Sequence, residues 1–149
     1  LKKIDLPFFD EPTSPSMGAG TSQAARAWAA KISTADAVII LSPEYNAGYP
    51  APLKNAIDYL KNEWKNLPVT IVTYGFGGGL SSAGQLKQVF IRLGSAIVES
   101  GVAIDIGAGI LNETGGITEP DTSLAPYAAP FALALGEITA QVAEALVIA

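Results

Sequence analysis

The chain has 149 residues, 49% hydrophobic and 15% charged, and its 9 basic and 14 acidic side chains leave a formal charge of −5. This suits one globular domain, residues 1–149, with a real core, and an acidic balance without a basic cluster argues against nucleic acid or an anionic membrane as partner. Cysteine and histidine are both absent, which removes disulfides, thiolate nucleophiles, Ser-His-Asp hydrolysis and imidazole or thiolate metal sites, so catalysis would fall to a cofactor. No apolar stretch approaches the roughly 20 residues of a membrane span, and no basic segment with an apolar run opens the chain; the expectation is a soluble, cytoplasmic protein.

Residues 2–6 (Lys-Lys-Ile-Asp-Leu) read as the end of a short strand, and the Pro-, Gly- and Ser-rich residues 7–20 as a surface loop tacked to the core by Phe8 and Phe9. Thr21 or Ser22 caps a helix to about Ser33, with Ala25, Trp28, Ala29 and Ile32 as its apolar face. Residues 37–41 (Ala-Val-Ile-Ile-Leu) form a strand buried on both faces. The loop beyond it is stiffened by Pro43, Pro50 and Pro52, with Gly48 free to take conformations closed to other residues. A helix follows over 53–64, with Leu53, Ile57 and Leu60 on one stripe and a solvated Lys54–Asp58 pair on another.

Residues 69–74 are strongly β-branched and read as another strand. It runs into a glycine-rich turn (Gly75, Gly77, Gly78, Gly79), then a helix from about Gln85 to Glu99 and a strand over 102–106. Residues 111–125 read as a polar loop and the alanine-rich remainder as a helix. Strands alternating with helices at these lengths describe an α/β domain with an open parallel sheet. In such sheets ligands bind beyond the carboxyl ends of the strands. Two adjacent turns leave there, 43–49 and 75–84, and Tyr45, Tyr49, Tyr74 and Phe76 can wall a flat slot between them. The glycine turn lacks Gly-x-Gly-x-x-Gly spacing, so it is no dinucleotide fingerprint. Ser81 and Ser82, with Gln85, stand at a helix N-terminus, where capping is commoner than phosphate binding. Glu44 reads equally as a loop-structuring group or a proton donor, and Asp105, Glu113, Glu119 and Asp121 as solvated loop carboxylates.

Residues 43–46 (Pro-Glu-Tyr-Asn) followed by Pro50-x-Pro52-Leu53-Lys54-Asn55-Ala56-Ile57-Asp58 resemble the signature of the NAD(P)H-dependent FMN reductase family, a flavodoxin-like group that includes quinone, azo-dye and chromate reductases. The resemblance implies a flavodoxin-like three-layer sandwich with strand order 2-1-3-4-5, in which residues 2–6 are the second strand and the first strand, with its phosphate loop, is missing from this chain. Such a gap in the centre of the sheet implies a fragment, or an edge protected by a partner chain. The resemblance also implies FMN with NADPH or NADH, held by Pro43, Glu44, Tyr45 and Asn46 on one side and by Tyr74, Gly75, Phe76, Gly77, Gly78 and Gly79 on the other. It implies two-electron ping-pong reduction of a small-molecule electron acceptor, such as a quinone, azo compound, free flavin or metal oxyanion. A homodimer or homotetramer through the helix at 53–64 is implied too, with Tyr49, Tyr59 and Trp64 as interface candidates. The competing reading is a non-catalytic flavodoxin-like homologue that has lost tight FMN binding and acts through its oligomer interface.

Overall fold

Val69, Thr70, Ile71, Val72 and Thr73 make β-structure because branched side chains pack well on a pleated surface, and they lie within the central strand, β2 (Pro68–Gly75), buried except at Tyr74. A computed structural model describes residues 4–18 and 20–148. β1 (Val38–Pro43) pairs in parallel along one edge of β2, Val38 opposite Val69 and Pro43 opposite Tyr74. Two short pieces share the other edge in succession, also parallel: β3 (Ala96–Ile97) beside Pro68 and Val69, and β4 (Val102–Asp105) beside Val72 to Gly75. The helical crossovers that parallel strands require give the chain its layers.

α1 (Gln23–Ser33) begins at Ser22, whose hydroxyl accepts the Ala25 N–H, and buries Ala25, Trp28 and Ile32. Trp28 is core, as its spacing predicts, with its indole N–H satisfied by the Ala56 carbonyl at 2.8 Å. α2 (Ala51–Asp58) has Pro52 in its first turn, where no N–H partner is lost. α3 (Leu80–Leu93) supplies Leu86 and Phe90, and the Phe90 ring meets Trp64 edge-on at 5.3 Å, an arrangement favoured by the ring quadrupoles. After β4 the chain passes through α4 (Pro120–Ser123) to the long α5 (Ala128–Ile148). Glu137 of α5 accepts the Ser100 N–H at 2.9 Å and its hydroxyl at 2.6 Å, fastening that helix to the loop before β4.

Several boundaries differ from expectation. α3 starts at Leu80, not Gln85, and stops at Leu93, not Glu99, because Gly94 takes a left-handed φ of 82° and closes the helix with its N–H on Phe90 and Ile91 carbonyls. The freed residues 96–97 become β3. α2 stops at Asp58, and a 3-10 turn, Asn62–Trp64, then swings Trp64 inward to 2% exposure, its indole N–H on the Ile57 carbonyl. Tyr59 is buried as well. Both were expected at an interface; in this chain they are core, and only Tyr49 of the three stays partly open. The Lys54–Asp58 pair is present and exposed.

Of the expected second strand, Lys2 and Lys3 lie outside the described residues, and residues 4–6 join no strand. The outer edge of β1 meets no strand among the described residues. Leu41 there is 64% exposed, and a groove of about 350 Å³ runs beside it, lined by Trp28, Ile32, Ile40, Pro43 and Ile57 among others.

The loop before α1 is held at two points. Phe9 packs edge-on against Tyr59 at 5.2 Å and donates its N–H to Asn55 Oδ1, while Asn55 Nδ2 and the Tyr59 hydroxyl both donate to the Pro7 carbonyl. Phe8, expected to share this task, is 81% exposed. At the second point Glu11 accepts the Thr21 N–H and hydroxyl at 2.7 and 2.9 Å. The Ser22 hydroxyl beside it and the Thr21 N–H hold the Glu11 carboxyl at about 2, below its ordinary 4.5. A carboxylate with a depressed pKa stabilises the fold fully above its unfolded value and loses that contribution as pH falls through its folded value. The thermal stability gap between the parent and Glu11→Ala is therefore constant above pH 4.5 and narrows toward zero between pH 4.5 and 2; a gap that does not change with pH contradicts this.

Candidate functional site

Parallel pairing of β1 and β2 brings their carboxyl ends to the same rim of the sheet. With Pro43 opposite Tyr74, the pairing continues one step into the loop, where the Glu44 N–H donates to the Tyr74 carbonyl at 2.9 Å. The chain then reverses in a two-residue turn closed by two main-chain bonds between Tyr45 and Gly48, at 2.8 and 3.0 Å. Its central residues, Asn46 and Ala47, have φ of 50° and 60°. Asparagine tolerates that region; alanine holds it at a cost of about 1–2 kcal/mol, strain of the kind that gathers at functional turns. Gly48, expected to be the permissive residue, instead gives room: a Cβ there would come 3.0 Å from Gln85 Oε1.

The turn after β2 is left-handed at three successive residues, Gly77, Gly78 and Gly79, with φ of 71°, 84° and 71°. Their surroundings divide them. A Cβ on Gly78 would lie 2.8 Å from Ala103 Cβ and one on Gly79 3.0 Å from the Tyr74 carbonyl oxygen, so these two make the tight turn possible. Gly77 has nothing within 4 Å on that side, and its backbone is the part a ligand can approach closely. The buried Thr73 hydroxyl holds the turn from below, donating to the Gly78 carbonyl at 2.8 Å.

Glu44 joins the two turns. Its Oε2 accepts the N–H groups of Ser81 and Ser82 at 2.9 and 3.1 Å, capping α3 from another segment of the chain. Negative charge is favoured there by the unpaired N–H groups and the helix dipole. The Ser82 hydroxyl donates to the Pro43 carbonyl at 3.2 Å and Gln85 Nε2 to the Ala47 carbonyl at 2.7 Å. Glu44 thus fulfils the loop-structuring expectation, whereas Ser81 and Ser82, expected as caps, lie inside α3 and are themselves capped, the N-cap position being Gly79.

All ten expected site residues lie on this one rim. Pro43 and Glu44 are half-buried at its base, Gly75, Gly78 and Gly79 are buried, and Tyr45, Asn46, Tyr74, Phe76 and Gly77 face outward. Tyr45 and Phe76 are 64% and 83% exposed, a large apolar expense of the sort that marks a binding surface. The rim is open: cavities of about 350, 260 and 500 Å³ lie beside β1, under α3, and between β4 and α5, and none is lined by residues 44–46 or 75–79. Exposed aromatic faces beside a bare glycine main chain are features on which a flat ring with polar edges can stack. The N-terminus of α3, filled by Glu44, leaves no seat there for the phosphate.

Sequence reasoning passed over Asp105. Set aside among loop carboxylates, it closes β4 on the same rim and its Oδ1 accepts the Gly77 N–H at 2.9 Å. No local pattern signals this contact, which spans 28 positions. Among the described residues no cluster of carboxylates forms a metal site.

The clasp has a measurable worth. Replacing Glu44 by alanine leaves the Ser81 and Ser82 N–H groups without their carboxylate and costs about 1–2 kcal/mol in urea unfolding, with glutamine costing less because it keeps an acceptor. A Glu44→Ala protein as stable as the parent contradicts the assignment.

The profile of the NADPH-dependent FMN reductase family matches residues 1–109. The chain is 45% identical over 95 residues to an NAD(P)H-dependent FMN reductase of Schizosaccharomyces pombe, covering 59% of this chain and 48% of that protein. It is 35% identical over 117 residues to the NAD(P)H-dependent FMN reductase LOT6 of Saccharomyces cerevisiae, covering 74% and 61% respectively. The chain therefore spans about half to three-fifths of the length of these relatives. Among solved structures it is similar to FerB, a flavoenzyme NAD(P)H:(acceptor) oxidoreductase from Paracoccus denitrificans, with a TM-score of 0.64 and 25% identity over 93% of this chain and 74% of that one. A parallel sheet with helical crossovers, the Pro-Glu-Tyr-Asn turn meeting the polyglycine turn on one rim, and a family profile over most of the chain lead to one conclusion: this chain belongs to the NADPH-dependent FMN reductase family, with its α/β flavodoxin-like fold.

Proposed function

We propose that the chain is the flavin-gripping part of an NAD(P)H-dependent FMN oxidoreductase that passes two electrons to a small acceptor such as a quinone, azo compound, free flavin or metal oxyanion. The observation that carries the reading is the Glu44 clasp, which fuses two ligand-type turns into one rigid surface. FMN, when bound, supplies the two-electron exchange between a nicotinamide and a second acceptor that follows it into the same place. Tyr45, Tyr74 and Phe76 offer stacking faces and keep water from the ring. The Gly77 main chain permits close approach, and Pro43 and Asn46 complete the opposite wall. No side chain at the rim is asked to move a proton or form a bond, which suits a chain without histidine or cysteine. A cytoplasmic setting and assembly as a homodimer or homotetramer, through the outward side of α2, belong to the same proposal; sizing chromatography reads the latter.

A second reading has its own support. With the α3 N-terminus filled by Glu44, FMN phosphate lacks that seat, as expected of a homologue that binds flavin weakly and acts through its interface. Adding FMN to the purified chain separates the two. The enzyme reading predicts saturable quenching of flavin fluorescence and NADPH-dependent reduction of a quinone. It also predicts that Tyr45→Ala or Phe76→Ala weakens FMN binding by about fivefold to tenfold, equivalent to about 1–1.4 kcal/mol of lost stacking. A chain that takes up no FMN retires it in favour of the second.

A further inference from the structure

The polyglycine turn is held from a third side, by an element outside the two expected turns. Asp105 Oδ1 accepts the N–H of Gly77 at 2.9 Å and that of Gly107 at 2.8 Å. The second bond shapes the 3-10 turn Ile106–Ala108. That turn lies against the site: a Cβ on Gly107 would come 3.2 Å from Phe76 Cδ1. Asp105 is fixed in turn by the C-terminal segment, its own N–H donating to the Tyr127 hydroxyl at 3.0 Å. One carboxylate thus bridges the turn after β2, the turn after β4 and, through its main chain, the approach to α5.

We infer that Asp105 is a positioning residue for the flavin site: it sets the orientation of the Gly77 peptide, the one peptide of the polyglycine turn that faces open space, and brings the turn after β4 against Phe76 as a third side of the ligand surface. Three left-handed glycines in a row lose more conformational freedom on ordering than any other residues would. An exposed turn of that kind stays in one shape only if its polar groups are tied down. Thr73 ties the Gly78 carbonyl, Glu44 ties the helix that follows, and Asp105 ties the first left-handed peptide. A hydrogen bond to an ionised acceptor is about twice as strong as a neutral one, which suits a bond exposed to solvent competition. Preordering the turn lowers the entropy a ligand must supply on binding. Tyr127 lies beyond residues 1–109, so the inference also couples the segment outside the family match to the site.

The inference rests on the FMN reading, and its test separates the two. The full chain is compared with Asp105→Ala and Asp105→Asn, the latter keeping an acceptor for both N–H groups. Without ligand, alanine should speed amide exchange at Gly77 and Gly107 by at least about tenfold while Val72 and Phe90, in β2 and α3, exchange as in the parent; asparagine should restore protection. With FMN, alanine should weaken binding by about tenfold or more and asparagine by no more than about threefold, read by flavin fluorescence and visible circular dichroism. Unchanged FMN affinity in Asp105→Ala, or unchanged exchange at Gly77, overturns the inference alone. A parent that takes up no FMN overturns the functional reading together with the inference, even if the exchange results hold.

Discussion

Glu44 caps a helix to which it does not belong. That contact satisfies the leading N–H groups of α3, as any cap does, and adds what a local cap could not: it locks the turn after β1 to the turn after β2. The register beneath it, Pro43 against Tyr74, sets the separation of the turns, and Ser82 and Gln85 return two further bonds to the Glu44 side. The relative placement of the two turns depends on this. Tyr45 and Phe76 stand exposed over a base that is rigid, and Gly77 turns its bare backbone outward next to them. A surface in which apolar rings face water costs stability unless a ligand covers it, and it persists because the sheet and α3 over-determine the backbone below.

The glycine-rich turn shows how one composition can serve two purposes. Gly78 and Gly79 are required by Ala103 and by the Tyr74 carbonyl, whatever binds above them. Gly77 has no such neighbour, and its conformation is held by a carboxylate that arrives from β4. The tight strand-to-helix turn is fixed at Gly78 and Gly79, and the ligand role we propose falls on Gly77, so the two readings apply to successive positions. The same division runs through residues 43–50, where Pro43 and Glu44 build the base while Tyr45 and Asn46 face outward.

Much of this was legible because it was local. The branched run at 69–74 reads as a buried strand and is one, and the spacing of Trp28 and Ile32 marks a core face; the apolar run at 37–41 is a parallel strand too, but it is buried on one face only, with Ile39 and Leu41 exposed, against the expectation of burial on both. The failures were of two kinds. Gly94 ends α3 ahead of β3, where the expected helix runs on to Glu99, and α2 ends at Asp58, so Tyr59 and Trp64 lie in the core and not at an interface. The other kind was long-range. Glu44 reaching Ser81, Asp105 reaching Gly77 and Asn55 reaching Pro7 join residues far apart in the chain, and no spacing rule records them. The start of α3 is hidden for that reason: its cap lies in another loop, so no local cap marks Leu80 as the first helical residue.

If the two adjacent turns act as one ligand surface, one molecule meets both. Amide chemical-shift mapping of the isotope-labelled chain during an FMN titration tests this directly. Amides of residues 44–47 and 75–79 should shift together and saturate at one ligand concentration, with the core amides of α3 unmoved. Shifts concentrated along β1 and α1, beside the groove at Leu41, with residues 75–79 unchanged, contradict it.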